Sequence, residues 1–461
     1  VHTPMLTSNI SFLPPELMDV VRLFEGAEQL EIAHTGDYDG AVFRNTFVID
    51  GAAYSAADGA EAHGQLAYKS LCKRYAKLAL YRILSGRTGI SLPWGALTGI
   101  RPTRLAYAEL EAGRPFEPLF EKMCVSEENI GLVRRVIEGQ KGIYERREGN
   151  CDLFISLPFC PSKCTYCSFI TAPIAATRKY LPDYLSALEE ELAAAGALIK
   201  NLRSVYIGGG TPFALEAEEL ERVLRAVAPL RANGCEYTVE AGRPDVFTRE
   251  KLDVCAEYGV TRICINAQSF SDKTLAAIGR KHTSADLYRA FEMAKDYPFA
   301  VNCDLIAGLT GESVEEFCAS VDAAVALSPE NITVHTLCLK KGAKLKEETA
   351  RLEAGRLAEM IGYSRRALTA AGYGPYYLYR QKYMAGAHEN VGWTKPGHAC
   401  VYNIDVMEEI ADNLAVGGNA VSKKLFLQEG RIERHGSPKD IPTYLAKVGR
   451  LIAERNELFG G

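Results

Sequence analysis

The chain has 461 residues, 47% hydrophobic and 24% charged, with a formal net charge of −5. That mix excludes a disordered chain, a collagen-like chain and a small disulfide-stapled scaffold, and at ~150 residues per domain it predicts roughly two to four domains. The mildly acidic balance offers no general attraction for nucleic acid or anionic lipid; no apolar run reaches the ~18 residues of a membrane-spanning helix, and Val1 to Asp19 has no charged start before an apolar core, so no secretory signal is expected.

Residues 1–150 carry no catalytic signature. Thr46–Ile49 reads as a strand, and Ala67–Ser85 as a helix with Leu71, Tyr75, Leu78, Leu80 and Leu84 at helical spacing, stopping near Gly86. Leu97-Thr-Gly-Ile-Arg-Pro-Thr-Arg104 reads as a surface turn with a basic edge. From Asp152 the texture changes to alternating strands and amphipathic helices. The strands are Leu153–Leu157, Val205–Ile207, Tyr237–Glu240, Arg262–Asn266, Ala300–Ile306 and Ile332–Thr336. The clearest helix runs from about Pro182 to Lys200, with Leu185, Leu188, Leu192 and Ala195 on one face. Others cover Ala217–Leu230, Arg249–Tyr258, Ser284–Lys295, Val314–Leu327 and Glu347–Ala371. Six βα units in succession predict an α/β fold with a parallel sheet. They suit three-quarters of a (β/α)8 barrel as well as an open doubly wound sheet, and either places chemistry at the C-terminal strand ends. From Gly372 the alternation stops. The expected organisation is an N-terminal accessory domain (1–150), a βα domain (151–372) and a smaller C-terminal α+β domain (373–461).

Thirteen cysteines is an odd, irregularly spaced set. Cys255, Cys264, Cys303 and Cys318 sit in apolar stretches and read as buried small hydrophobes, so a reducing cytoplasm is expected rather than a disulfide framework. Cys160, Cys164 and Cys167 are different: they cluster in Pro158-Phe-Cys-Pro-Ser-Lys-Cys-Thr-Tyr-Cys167, directly after the first strand of the βα run. Three thiolates take three irons of a [4Fe–4S] cluster and leave the fourth iron open for a substrate or cofactor. A structural zinc wants four ligands, and no second C-x2-C or H-x3-H pair stands nearby.

This C-x3-C-x2-C loop, with Tyr166 before its last cysteine, resembles the hallmark of the radical S-adenosylmethionine (SAM) superfamily, and with it a partial (β/α)6 barrel is expected. The resemblance implies that the open iron binds the amino and carboxylate groups of SAM. One electron from the reduced cluster then splits the sulfonium, and the 5′-deoxyadenosyl radical released abstracts hydrogen from an unactivated carbon. Later motifs agree in order: Gly208-Gly-Gly-Thr-Pro212 after the second strand, Glu240 closing the third, Gln268 after the fourth, Arg280, and Asp304 on the fifth. By resemblance, Tyr166, Phe169, Gly209, Gly210, Thr211, Glu240, Gln268, Arg280 and Asp304 surround SAM, with the glycine motif at its methionine end and Glu240 at the ribose.

The finer resemblance, over nearly the whole chain, is to the oxygen-independent coproporphyrinogen III oxidases, in their HemZ-type branch. It rests on Leu97-Thr-Gly-Ile-Arg-Pro-Thr103, Pro158-Phe-Cys160, Val239-Glu-Ala-Gly-Arg-Pro-Asp245, Tyr379-Arg-Gln-Lys382, Asn390-Val-Gly-Trp393 and Gly417-Gly-Asn-Ala-Val-Ser422. It implies oxidative decarboxylation of two propionates of coproporphyrinogen III to vinyl groups, giving protoporphyrinogen IX, with an electron donor such as flavodoxin or ferredoxin. A tetra-anionic tetrapyrrole needs cationic partners, and Arg380, Lys382, Lys395, Lys423 and Lys424 are candidates. Better-known oxidases of the family carry a tyrosine at Phe154, a histidine in the stretch that reads Ser156-Leu157-Pro158 here, and a fourth, non-ligating cysteine at Phe169. Two rival readings share the cluster motif. One is a haem chaperone, which holds haem with a histidine–asparagine pair that reads Tyr402-Asn403 here, with His398 and Cys400 nearby as possible iron ligands. The other is a radical SAM methyltransferase acting on haem.

Overall fold

The computed structural model describes residues 6–59, 61–99, 101–167, 172–231, 234–338, 354–380 and 387–460. The chain divides into two compact units, Val1–Arg134 with Tyr379–Glu389, and Arg135–Leu378 with Asn390–Gly461. No helix among the described residues is long and apolar enough to cross a membrane.

The first unit contains a four-stranded sheet of Leu6–Ser8, Ile32–Tyr38, Val42–Ile49 and Ala52–Gly59, in that order. Its third strand alternates buried Phe43, Asn45, Phe47 and Ile49 with exposed Arg44, Thr46 and Val48, the period of a half-buried strand. The 24-residue helix Gln65–Thr88 buries Leu71, Tyr75, Leu78, Leu80 and Leu84, as their spacing predicts. The expected surface turn at Leu97–Arg104 is corrected. Leu97 and Thr103 are buried, and Pro102 opens the helix Pro102–Glu111, where its fixed φ and missing N–H suit the first turn.

The second unit is built on one eleven-stranded sheet: β1 (Asn150–Leu157), β2 (Asn201–Gly209), β3 (Glu236–Gly242), β4 (Arg262–Gln268), β5 (Ala300–Ala307), β6 (Asn331–Thr336), β7 (Gly374–Tyr379), β8 (Asn390–Thr394), β9 (Asp412–Val416), β10 (Val421–Phe426) and β11 (Arg431–Gly436). Across the sheet the order is β7-β8-β6-β5-β4-β3-β2-β1-β9-β10-β11. Strands β1 to β6 are all parallel and lie side by side in chain order. An order with no reversal puts every right-handed crossover on one face. The connecting helices α1 (Leu181–Gly196), α2 (Ala217–Val227), α3 (Arg249–Glu257), α4 (Ser284–Ala294) and α5 (Val314–Leu327) therefore form one outer layer, and the sheet is a partial (β/α)6 barrel. A partial barrel leaves two open strand edges, and the C-terminal segment covers both: β9 pairs parallel with β1, and β8 antiparallel with β6. Residues expected as a separate α+β domain thus extend the same sheet.

Alternate residues on the six strands differ sharply in character. Leu153, Ile155, Val205, Ile207, Tyr237, Val239, Ile263, Ile265, Cys303, Leu305, Ile332 and Val334 are buried among the helices. The opposite face carries Asp152, Ser156, Ser204, Tyr206, Glu236, Glu240, Arg262, Asn266, Asn302, Asp304, Thr333 and His335. By the two-residue repeat of a strand these share the inner face of the barrel. The helix α6 (Ala354–Ala370) follows β6, and α7 (Val401–Glu408) lies between β8 and β9. The N-terminus of α7 is held by Glu236, whose carboxylate accepts from the backbone N–H of Val401 (3.0 Å) and Tyr402 (3.2 Å), a favourable place for negative charge.

Candidate functional site

The cysteine loop leaves β1 at Leu157 and is fixed by backbone bonds on both sides. Gly210 N–H donates to Leu157 O (2.9 Å), Thr211 N–H to Phe159 O (2.7 Å) and Thr165 N–H to Ile278 O (3.0 Å). Cys167 N–H closes a turn on Cys164 O at 3.2 Å. The glycine motif of β2 therefore lies directly against the loop. Gly209 sits at φ +95°, and a Cβ on Gly210 would strike the carbonyl oxygens of Leu157 and Phe159; only glycine permits this approach. Thr211 Oγ1 lies 3.5 Å from Cys160 Sγ. All thirteen cysteines are free of disulfides. No group of three or more His, Cys, Asp or Glu among the described residues could hold a single metal ion. In a cubane each thiolate binds a different iron, so the three sulfurs need not converge on one point.

Two arginines hydrogen-bond to side chains of the loop. Arg280 donates to Tyr166 Oη (3.1 Å) and to the Asn266 carbonyl. Burial depresses its pKa, but the neighbouring Tyr166 and Cys164 outweigh that and raise it above its ordinary value. Arg243 was not singled out from the sequence. It is buried, donates to Ser162 Oγ at 2.6 Å, and is held by Asp245 at 2.6 and 2.9 Å. His282 Nδ1 lies 3.3 Å from the same carboxylate. The signal for Arg243 was present in Glu240-Ala-Gly-Arg243, but its partner Ser162 is 81 residues away, beyond the reach of any local pattern.

Glu240 and Asp304 face into the barrel from β3 and β5. Burial pushes the Glu240 carboxyl up to about 7, against the opposing pull of the Tyr206 phenol, which donates to it at 2.6 Å. Burial pushes Asp304 up too, but hydrogen bonding and charge from His335, with Asn302 and Thr333, more than cancel it and hold Asp304 below the usual carboxylate value. His335 Nε2 is 3.8 Å from Asp304 Oδ1, and Asn302 Nδ2 donates to Asp304 at 2.8 Å. Neither Tyr206 nor His335 was expected from the sequence. Gln268 stands at an irregularity in β4, with φ +68°. Among the described residues, its Oε1 and the Oδ1 of Asn266 are buried without a hydrogen-bond partner, which is a costly state unless a polar ligand arrives.

Of the three departures from the family pattern, Phe154 and Ser156 have other occupations. Ser156 Oγ donates to Gly418 O at 2.7 Å, so its hydroxyl closes the turn after β9. Phe154 joins Tyr206 and Tyr402 in a group of near-parallel rings, with centroids 4.4 to 6.2 Å apart. Phe169 and Lys382 lie outside the described residues. The remaining candidate cations are engaged elsewhere. Arg380, in the first unit, donates to the carbonyls of Leu97 and Ala387 and stacks over Trp94 at 5.3 Å; burial lowers its pKa to about 10. Lys424 pairs with Asp412 at 2.7 Å, and Lys395 donates to Ser328 O. Both adjoin the N-terminal ends of parallel strands, because Asp412 pairs with Cys151 and Lys395 follows Thr394, which pairs with Asn331. Lys423 lies opposite Asn413 in the same region.

Comparison with known proteins agrees with this architecture. Residues 154–324 match the Radical SAM superfamily. The chain is 36% identical over 392 residues, 81% of its length and 78% of the relative's, to the oxygen-independent coproporphyrinogen-III oxidase-like protein HemZ of Bacillus subtilis. It is also 34% identical to the heme chaperone HemW of that organism, over 41% of this chain and 50% of the chaperone. The solved coproporphyrinogen III oxidase HemN of Escherichia coli shares the fold, with a TM-score of 0.54 at 19% identity over 67% of this chain and 71% of that one. The chain belongs to the radical SAM superfamily, whose members use a [4Fe–4S] cluster and SAM, and within it to the HemZ-type branch of the oxygen-independent coproporphyrinogen III oxidase family.

Proposed function

We propose that this protein catalyses the anaerobic oxidative decarboxylation of coproporphyrinogen III to protoporphyrinogen IX. The observation that carries the reading is the three-thiol loop at the end of β1, opening onto a polar barrel interior, in a chain that aligns with HemZ over 81% of its length. The residues present suit both cofactors. Cys160, Cys164 and Cys167 would hold three irons, and the oxygens of Asn266 and Gln268, buried without a hydrogen-bond partner among the described residues, would suit a polar ligand. When bound, the cluster and SAM supply hydrogen-atom abstraction from carbon that no base can deprotonate.

The chain's own residues supply position. Gly209, Gly210 and Thr211 would receive the methionine end of SAM through backbone groups. Glu240 would bond the ribose, and Asp304, Gln268, Tyr166 and Phe169 would complete the surround. Arg280 would act on the loop through Tyr166. The reaction asks no base of Phe154 or Ser156, whose side chains carry no titratable group. A flavodoxin- or ferredoxin-like reductant would deliver the electron.

The test is anaerobic incubation of the reconstituted protein with SAM, reductant and coproporphyrinogen III, followed by mass spectrometry. Protoporphyrinogen IX and 5′-deoxyadenosine are expected. Each of Cys160→Ala, Cys164→Ala and Cys167→Ala should lose the cluster and the product, and a variant that keeps both would remove that cysteine from the ligand set. The second reading, a haem chaperone, has the HemW likeness behind it. Unchanged porphyrinogen together with a sharp Soret band on haem titration would favour it. A methylated or ring-opened haem product would favour the methyltransferase.

A further inference from the structure

We propose that Tyr206 and Gly208 act as one device that aims the Glu240 carboxyl at the ribose diol of an adenine nucleoside, with Tyr206 as the positioning residue. The inference rests on the reading of the barrel mouth as a SAM site. It stands on three observations in the same few ångströms. Tyr206 Oη donates to Glu240 Oε1 at 2.6 Å, which occupies one carboxyl oxygen and leaves Oε2 for a ligand. A Cβ on Gly208 would lie 2.9 Å from both Oε2 and Cδ of Glu240 and 3.1 Å from the Tyr206 ring. The first glycine of the motif therefore clears room for this pair, while the next two serve the cysteine loop. The Tyr206 ring is itself immobilised, lying 4.4 Å from Tyr402 and 6.2 Å from Phe154 at interplanar angles of 22° and 24°. A carboxyl group on a flexible stem gains precision from a fixed donor, because less rotamer freedom is left to lose when the ligand binds.

Phe154, which has no hydroxyl, is the paired residue of Tyr206 on the neighbouring strand. The phenol at this level of the barrel is supplied from β2.

The probe is 5′-methylthioadenosine, which carries the ribose diol but no amino acid, so its binding does not depend on the open iron. Its affinity for the reconstituted full-length protein is measured by calorimetry. Tyr206→Phe keeps the ring and loses only the hydroxyl, and should weaken binding about tenfold, the scale of one hydrogen bond to a charged group. Gly208→Ala should weaken it similarly. In a Glu240→Ala background neither change should add more than about twofold, because a device that acts through Glu240 has nothing left to aim. The 2′,3′-dideoxy analogue should bind wild type and Tyr206→Phe alike. Unchanged affinity in Tyr206→Phe, or full additivity with Glu240→Ala, overturns the proposal and leaves the SAM site standing. A wild-type protein that ignores the nucleoside overturns both.

Discussion

Glu312 follows β5 in the turn before α5, and it is 1% exposed. Ser269 donates to its Oε1 at 2.5 Å, and its Oε2 has no partner among the described residues. Burial raises its pKa from 4.5 to about 7, and the nearby charge of Glu316 adds to that, while Ser269 and Lys273 oppose it. The folded state therefore binds a proton that the unfolded state releases. Its contribution to stability is complete below pH 4.5 and is lost as pH rises through 7. The shift, from 4.5 to about 7, corresponds to about 3 kcal/mol. Glu312→Gln fixes the neutral form, so relative to wild type it should gain up to about 3 kcal/mol between pH 4.5 and pH 8 in urea unfolding. A mutant–wild-type difference that stays level with pH would disprove the shift. Such a residue is invisible in sequence, where Glu312 is one more loop acid. The same holds for Tyr206, Arg243 and His335, whose roles arise from strands folded beside them. The cysteine loop and the glycine motif stand out by local spacing, whereas Glu240 and Asp304 enter only through the family resemblance, as implied SAM contacts.

Among the elements, α1 shows both what periodicity reveals and what it omits. Its predicted apolar face, Leu185, Leu188, Leu192 and Ala195, is buried. Yet Tyr184 and Glu191, seven apart and on one side of the helix, are buried as well. Glu191 accepts from Gly417 N–H (2.8 Å), from Tyr444 Oη (2.5 Å) and from Arg455. Tyr184 Oη accepts from Gly418 N–H (2.8 Å) and donates to Ser156 O (2.7 Å). This helix thus secures the turn after β9 against β1, close to where the cysteine loop begins, and ties in the C-terminal helix that bears Arg455. Glu191→Ala would leave a buried guanidinium uncompensated and should cost about 3–5 kcal/mol, while adding Arg455→Met should restore part of the loss. A urea midpoint for Glu191→Ala within error of wild type would contradict the ion pair's role. Hydrophobic pattern cannot announce a buried glutamate. Nor did it announce the strand Ala52–Gly59, whose Ala-Ala-Tyr-Ser-Ala-Ala-Asp-Gly sequence has low β propensity and owes its form to pairing with Val42–Ile49.

At the scale of the molecule, six βα units were readable but their closure was not, since strand order is a long-range property. The short strands β8 and β9 were not singled out within the expected C-terminal α+β domain, because their Asn, Gly and Asp residues obscure two fully buried runs. The barrel they complete has two chemically distinct ends, and this bears on the rival haem-binding reading. Cys400 donates to Glu236 at 3.2 Å, and the carbonyl of His398 accepts from Arg262 and Asn331. Those three partners are the first residues of β3, β4 and β6. Glu240 lies four residues further along β3, about 13 Å at the rise of a strand, at the end where the cysteine loop emerges. Burial drives the Cys400 thiol well above its ordinary pKa, and Glu236 raises it further. A thiol so held resists becoming the thiolate that iron requires. Any haem bound near the cluster should therefore not use these side chains. Cys400→Ala and His398→Ala are each expected to leave the Soret maximum and the titration midpoint of haem within about twofold of wild type. A shift of the Soret band together with a tenfold loss of affinity in either variant would place haem at the opposite end of the barrel, and with it a function separate from the cluster.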